Sequence, residues 1–348
     1  MLCSGLDNFL QQKENYPEIA RSERFGYLSN QASTTSNLIQ GRIPLQEKLG
    51  EQLAALFSPQ HGFFSEKQDN MVESDHSRDE VTDLPVFSLY GEWRKPTVEM
   101  FYHIDTLLVD LIDVGTRVYT FIYTLAYCLE AAAEQRKRVI VLDRPNPIGG
   151  REVEGNILRA DCTSFVGLYP IPMRHGMTIG ELALMFNSEF GIGAQLEVIR
   201  VSGWHRNMLA TETGLPWIAP SPNMPTAETA LVYPGQVIWE GTQVSEGRGT
   251  TQPFEFVGAP YWQHQQMLDF LQTTELPGCL LRPVAFEPTS GKYMQQRCIG
   301  FQIHVTDSAA FRPYRTSLAL LQAAMRLYPD HFSYKPPPYE YEFTRLPL

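Results

Sequence analysis

Three short apolar runs, each stopping abruptly on a polar cluster, constrain this chain more than any other feature. They are LAALFSPQHG (Leu53–Gly62), TLLVDLIDVGTRVYT (Thr106–Thr120) and VIVLDRPNP (Val139–Pro147). Each apolar run has the length and aliphatic content of a strand buried on both faces. Ligands of an open α/β sheet bind beyond the carboxyl ends of its strands. Polar clusters at three such ends therefore predict a site and name its residues.

The intervening segments fit that reading. Arg24–Asn30 reads as a first strand with a polar tip, and Pro44–Leu56 as a helix turning into the LFSPQHG strand end. Leu84–Tyr90 alternates like a strand, and Pro96–His103 is a short helix with proline in its first turn. Thr106–Asp113 and Val139–Asp143 are strands, with helical spacing over Tyr119–Gln135 between them. This rhythm implies a mostly parallel sheet. Residues 64–83 are polar and aperiodic, the composition of a lid loop.

Past Gly149–Gly150, proline and glycine punctuate the chain, and a boundary is expected near residue 155. The expected division is an α/β domain over 1–155 and an α+β domain over 156–348. In the second part Thr178–Glu189 is the clearest helix, with Thr178 and Glu181 forming a capping box. Leu196–Val201 and Gln302–Thr306 read as strands, Ser317–Tyr328 as a helix, Thr213–Pro260 as loop, and the tail from Tyr334 as extended.

Composition excludes several classes. The balance of 28 basic and 39 acidic residues gives a net charge of −11, which argues against nucleic acid as a partner, since phosphate binding needs a basic face. The five cysteines are scattered and none forms a CxxC pair, which argues against a metal or disulfide framework. The first residues contain no apolar leader and no apolar run is long enough to span a bilayer, so a cytoplasmic location is expected. HExxH, GxSxG, GxGxxG and the phosphate loop are all missing, against zinc proteases, α/β-hydrolases and nucleotide enzymes.

The candidate residues follow from the clusters. PQHG offers Gln60 and His61. DLIDVGTRVY offers Asp110, Asp113, Arg117 and Tyr119, and LDRPNP offers Asp143, Arg144 and Asn146. PMRHGMT places Arg174 and His175 just before a helix N-terminus, a natural anion site. PSPNMPT holds Asn223 between prolines, and SEGRGTTQPFE carries Glu246 and Arg248 among glycines. Each also has a plainer use as a cap, clamp or turn. Four arginines (Arg117, Arg144, Arg174 and Arg248) suggest a ligand bearing a carboxylate or phosphate.

At these residues the chain resembles the bacterial exo-β-N-acetylmuramidases, glycoside hydrolases long filed as a domain of unknown function. FSPQHGF, LPVFSLYG, DLIDVGTRVYTF, VLDRPNPIGG, IPMRHGMTIGELA, PSPNMPT, VYPG and EGTQVSEGRGTTQPFE carry the resemblance in one order. It implies a Rossmann-like N-terminal domain, a second α+β domain, an active cleft between them, and no metal or nucleotide cofactor. It also implies release of terminal N-acetylmuramic acid, whose lactyl carboxylate suits an arginine cluster. The family commonly shows PEHG, so Gln60 stands where a glutamate is the leading candidate for the catalytic acid. An amide cannot donate that proton. Either another acid serves, from Asp113, Glu246, Asp110 or Glu66, with His61 beside it, or the chain is a catalytically silent binder of muramyl or other acidic sugars. A phosphate-reading sugar enzyme is a third, weaker reading. Relatives of this type are often exported. The sequence is silent on the oligomeric state.

Overall fold

A computed structural model describes residues 2–11, 23–65 and 74–336. In chain order its elements begin with α1 (Gly5–Gln11), β1 (Phe25–Ser29), α2 (Arg42–Leu49), β2 (Leu53–Ser58), β3 (Ser77–Arg78), β4 (Pro85–Ser88), α3 (Val98–Tyr102), β5 (Thr106–Asp110), α4 (Phe121–Gln135) and β6 (Arg138–Leu142). They continue with β7 (Glu154–Ile157), β8 (Pro172–Arg174), α5 (Ile179–Glu189), β9 (Gln195–Ile199), α6 (Ala227–Gln236), β10 (Phe256–Ala259), α7 (His264–Leu271), β11 (Cys279–Phe286), β12 (Cys298–Val305) and α8 (Pro313–Leu327).

The chain forms two compact units. The first comprises residues 1–115, 119–151 and 176–222, and the second residues 116–118, 152–175 and 223–348. The single crossing expected at residue 155 thus gives way to several. The reason is β9, which returns to pair in parallel with β6 (Val141 opposite Val198), so residues 176–222 rejoin the first sheet.

That sheet has seven strands in the order β3-β4-β2-β1-β5-β6-β9, all parallel except the edge strand β3. Its register aligns the carboxyl ends, with Leu28 opposite Phe57, Ser29 opposite Asp110 and Leu142 opposite Ile199. Side chains alternate across a strand. Phe25, Tyr27, Leu108, Ile140 and Leu142 cluster with Leu6 and Phe9 of α1 and Leu45 and Leu49 of α2. Val139 and Val141, fully buried, are left to the opposite face, where α4 and α5 pack on β6, β9 and each other. Both faces are covered, which is why the strands read as unbroken apolar runs. Strand order reverses between β1 and β5: α2 leads from β1 to β2 on one side, and α4 from β5 to β6 on the other. That point is where open α/β sheets hold ligands.

The second unit has an antiparallel sheet, β10-β12-β11, and a small pair, β7-β8, with α6, α7 and α8. Thr213–Pro260, expected as loop, contains α6. Thr226 caps it, its hydroxyl accepting from the Thr229 amide at 3.1 Å. The Pro234–Gly235 pair that suggests a turn lies inside the helix, where a Cβ on Gly235 would overlap the Pro313 carbonyl at the start of α8. Glycine there permits close helix approach. Of the loop expected over 64–83, residues 66–73, including Glu66, lie outside the described residues. Ser77–Arg78 form β3. The expected tail lies outside them from residue 337.

Candidate active site

The three strand ends singled out in the sequence meet at one edge of the sheet, with the β1 tip, Asn30, between the first two. At the β2 tip the chain turns through two left-handed residues, His61 (φ 75°) and Gly62 (φ 83°). A histidine held at positive φ costs about 1 kcal/mol or more, a strain typical of functional turns. The Gln60 and His61 side chains are both buried. Thr120, just before α4, donates its hydroxyl to Gln60 Oε1 at 2.6 Å. Tyr119, its neighbour, is buried; burial, and after it the Asp113 charge, drives its hydroxyl pKa upward, against the nearby Ser221 hydroxyl. Asp113 is buried and accepts the Gly115 amide on Oδ2 at 2.7 Å. Gly115 must be glycine: φ is 79°, and a Cβ would strike Ile148 and Asn146. Thr120 thereby ties the start of α4 to the β2 end through Gln60.

The remaining strand-end residues are engaged in holding the edge together. Arg144 makes a two-pronged ion pair with Asp110, Nη2 to Oδ2 at 2.8 Å, and its Nη2 also reaches the Thr34 carbonyl at 2.9 Å. The Tyr27 hydroxyl donates to the same carboxylate at 2.7 Å. Burial opposes the Arg144 charge, and Asp110 more than offsets it. Asp143 accepts from the Gly180 amide (2.8 Å) and the Thr178 hydroxyl (3.1 Å) at the start of α5. The anion expected at that helix N-terminus is therefore the protein's own carboxylate. Burial raises the Asp143 pKa to about 6, against these donors. Gly180 lies so close that a Cβ would sit 2.7 Å from the Asp143 carboxyl carbon. Asn146 spans a turn, donating to the Met177 carbonyl at 2.9 Å and accepting from the Ile148 amide at 3.1 Å. These four, expected at a ligand, each have partners within the protein.

Other contributors at this edge carry no motif. Asn30 Nδ2 donates to the Pro220 carbonyl at 2.8 Å, Gln31 Nε2 to Ala219 at 2.7 Å, and Ser65 to Pro220 at 3.3 Å, so the proline-rich loop is fastened to the β1 and β2 tips. The polar end of RFGYLSN is the signal available for Asn30, while Thr120 and Ser221 lie inside the DLIDVGTRVYTF and PSPNMPT motifs, whose neighbouring residues supplied the candidates.

The other candidates belong to the second unit. Arg117 donates from Nη1 to the carbonyls of Asn156 (2.6 Å) and Ile171 (2.9 Å), and Thr116 bridges Arg174. Arg174 lies opposite Glu154 in the β7-β8 register; burial lowers its pKa, against the Glu154 charge. His175 is buried and Asn223 half-buried. Glu246 accepts from Lys292 Nζ at 2.6 Å and faces Arg248 at 3.6 Å. Arg248 is spent on Glu240 (2.6 Å) and covers the Phe254 ring at 5.0 Å. Lys292 also donates to the Trp239 and Val244 carbonyls, so this network clasps its own loop. Among the described residues, no group of three His, Cys, Asp or Glu side chains is arranged to hold a metal, and no helix is long and apolar enough to cross a membrane.

This architecture is that of the DUF1343 proteins. A crystal structure of one from Bacteroides fragilis covers 94% of this chain and 84% of its own, with a TM-score of 0.85 and 35% identity. A second from the same organism covers 93% and 90%, with a TM-score of 0.71 and 28% identity. The chain belongs to the exo-β-N-acetylmuramidase NamZ family, matching its N-terminal profile over residues 25–228 and its C-terminal profile over 231–346. The peptidoglycan β-N-acetylmuramidase NamZ of Bacillus subtilis is 44% identical over 331 residues, 95% of this chain and 79% of that protein.

Proposed function

We propose that this protein is a glycoside hydrolase that releases terminal N-acetylmuramic acid from peptidoglycan fragments. The observation that carries the reading is the 44% identity to the Bacillus subtilis β-N-acetylmuramidase, sustained over 95% of the chain. The sheet edge between β2 and β5 supports it, because strained, buried polar groups converge there at the switch point.

Glycoside hydrolysis needs a proton for the leaving oxygen and a carboxylate that attacks or activates water. Gln60 can supply neither. Its Oε1 accepts from the Thr120 hydroxyl. Asp113 is a buried carboxyl at the same edge, its Oδ2 accepting the Gly115 amide. We assign it the acid–base role, with His61 and Tyr119 as substrate-facing partners.

Hydrolysis of an aryl N-acetyl-β-muramide tests the reading. Release of the phenol with N-acetylmuramic acid is expected. Saturable muramic acid binding with no turnover would favour the silent-binder alternative over hydrolysis.

A further inference from the structure

Beyond Gly62, in the first unit, lies a cavity of about 230 Å³ that the site described above does not use. Its walls include Ser58, Gly62 and Phe64 from the β2 end, and Asp75, His76 and Asp79 around β3. It opens two residues past Gln60, on the β4 side of the switch point. Its volume falls below the roughly 300–1,000 Å³ of sites for drug-sized ligands, and suits a single pyranose ring.

The lining has the chemistry of a sugar site. Phe64 is 52% exposed, and the Arg42 guanidinium sits 5.4 Å from its ring centre. An exposed, braced ring offers an apolar surface to the C–H face of a sugar. His76 Nδ1 accepts the Ser88 amide at 3.0 Å, so the neutral ring carries its proton on Nε2 as a donor. Asp75 supplies an exposed carboxylate. Asp79 is buried, and its Oδ2 takes Arg42 Nε (3.2 Å), the Thr82 amide (2.9 Å) and the Thr82 hydroxyl (2.7 Å). Its Oδ1 has no hydrogen-bond partner among the described residues. The Asp79 side chain is sealed from solvent, so it holds Arg42 and the Thr82 turn in place behind the wall.

Charge selects which sugar. Among the described residues Asp79 is paired with Arg42 at 3.2 Å and Arg78 with Asp83 at 2.6 Å, which leaves the exposed Asp75 carboxylate as the charge on the lining. A lactyl carboxylate would be repelled here. We propose that this cavity is the subsite for the neutral N-acetylhexosamine on the leaving-group side of the cleaved bond. The proposal rests on the hydrolase reading above.

The test compares kcat/KM for the muramyl–N-acetylglucosamine disaccharide with that for the aryl muramide, which lacks the leaving sugar. The ratio should fall on the order of tenfold in Phe64→Ala and in Asp75→Asn, equivalent to about 1.4 kcal/mol of lost contact. Both side chains are exposed. Calorimetry of the wild type with N-acetylglucosamine should show saturable binding, weakened in both variants. Ratios unchanged in both variants, or N-acetylglucosamine binding indifferent to both, would overturn the subsite. Absent wild-type turnover with variant-sensitive N-acetylglucosamine binding would sink the hydrolase reading while upholding a sugar site in the cavity.

Discussion

Replacing Asp110 by alanine should damage stability by about 3–5 kcal/mol, the cost of leaving one member of a buried ion pair alone. Asp110 has no exposed side-chain surface and Arg144 only 7%. The carboxylate takes two guanidinium donors and the Tyr27 hydroxyl. In the variant, the guanidinium keeps the Thr34 carbonyl at 2.9 Å as its described partner, and Tyr27 loses its acceptor. Removing both charges avoids most of that penalty. A double variant, Asp110→Leu with Arg144→Met, should lie within about 1–2 kcal/mol of the wild type, because well-packed apolar replacements of buried pairs are often near neutral. Urea unfolding of the wild type, both singles and the double closes the cycle. A loss below about 1 kcal/mol for Asp110→Ala, or a double variant no more stable than the worse single, would refute the clamp assignment. Were Asp110 the general acid instead, alanine would abolish turnover while leaving unfolding unchanged.

Three further outcomes are expected. Asp143 holds its proton up to about pH 6 in the folded protein, whereas the unfolded chain gives it up near pH 4; stability should therefore fall by about 2–3 kcal/mol as pH rises between those values, and Asp143→Asn should flatten that stretch of the stability–pH curve. Asp113→Asn should slow cleavage of the unactivated disaccharide by roughly 10²–10⁴-fold and impair the aryl glycoside less, while Gln60→Glu leaves the disaccharide rate the same or lowers it; a comparable rise in Gln60→Glu would instead place the missing proton donor at residue 60. Glu246→Ala leaves Lys292, 9% exposed, without its carboxylate, and should cost about 3–5 kcal/mol; a thermal midpoint equal to the wild type would show that the clasp bears no energy.

The first sheet was readable because its strands are buried on both faces, so VIVL and TLLV announce themselves without periodicity. The capping box at Thr178 was equally legible, and its hydroxyl does accept the Glu181 amide at 3.2 Å, because the motif is entirely local. The return of β9 to that sheet was not legible, since a strand carries no mark of its partner. Nor was α6, whose Pro234–Gly235 serves packing against α8 rather than a turn. At the site, sequence named the polar residues but not their allegiance. Asp110, Asp143 and Arg144 look like ligands in a string of letters, yet distant partners, Tyr27, Gly180 and Thr34, claim them. Thr120 reaches Gln60 across sixty residues, which no spacing rule anticipates.

Mass spectrometry of the products from a peptidoglycan glycan fragment with a terminal muramyl residue tests the central claim most directly. The account predicts that the wild-type protein releases free N-acetylmuramic acid, one residue from the terminus, and leaves a fragment shortened by that sugar. Internal cleavage products, or an intact fragment after prolonged incubation with folded protein, would contradict it.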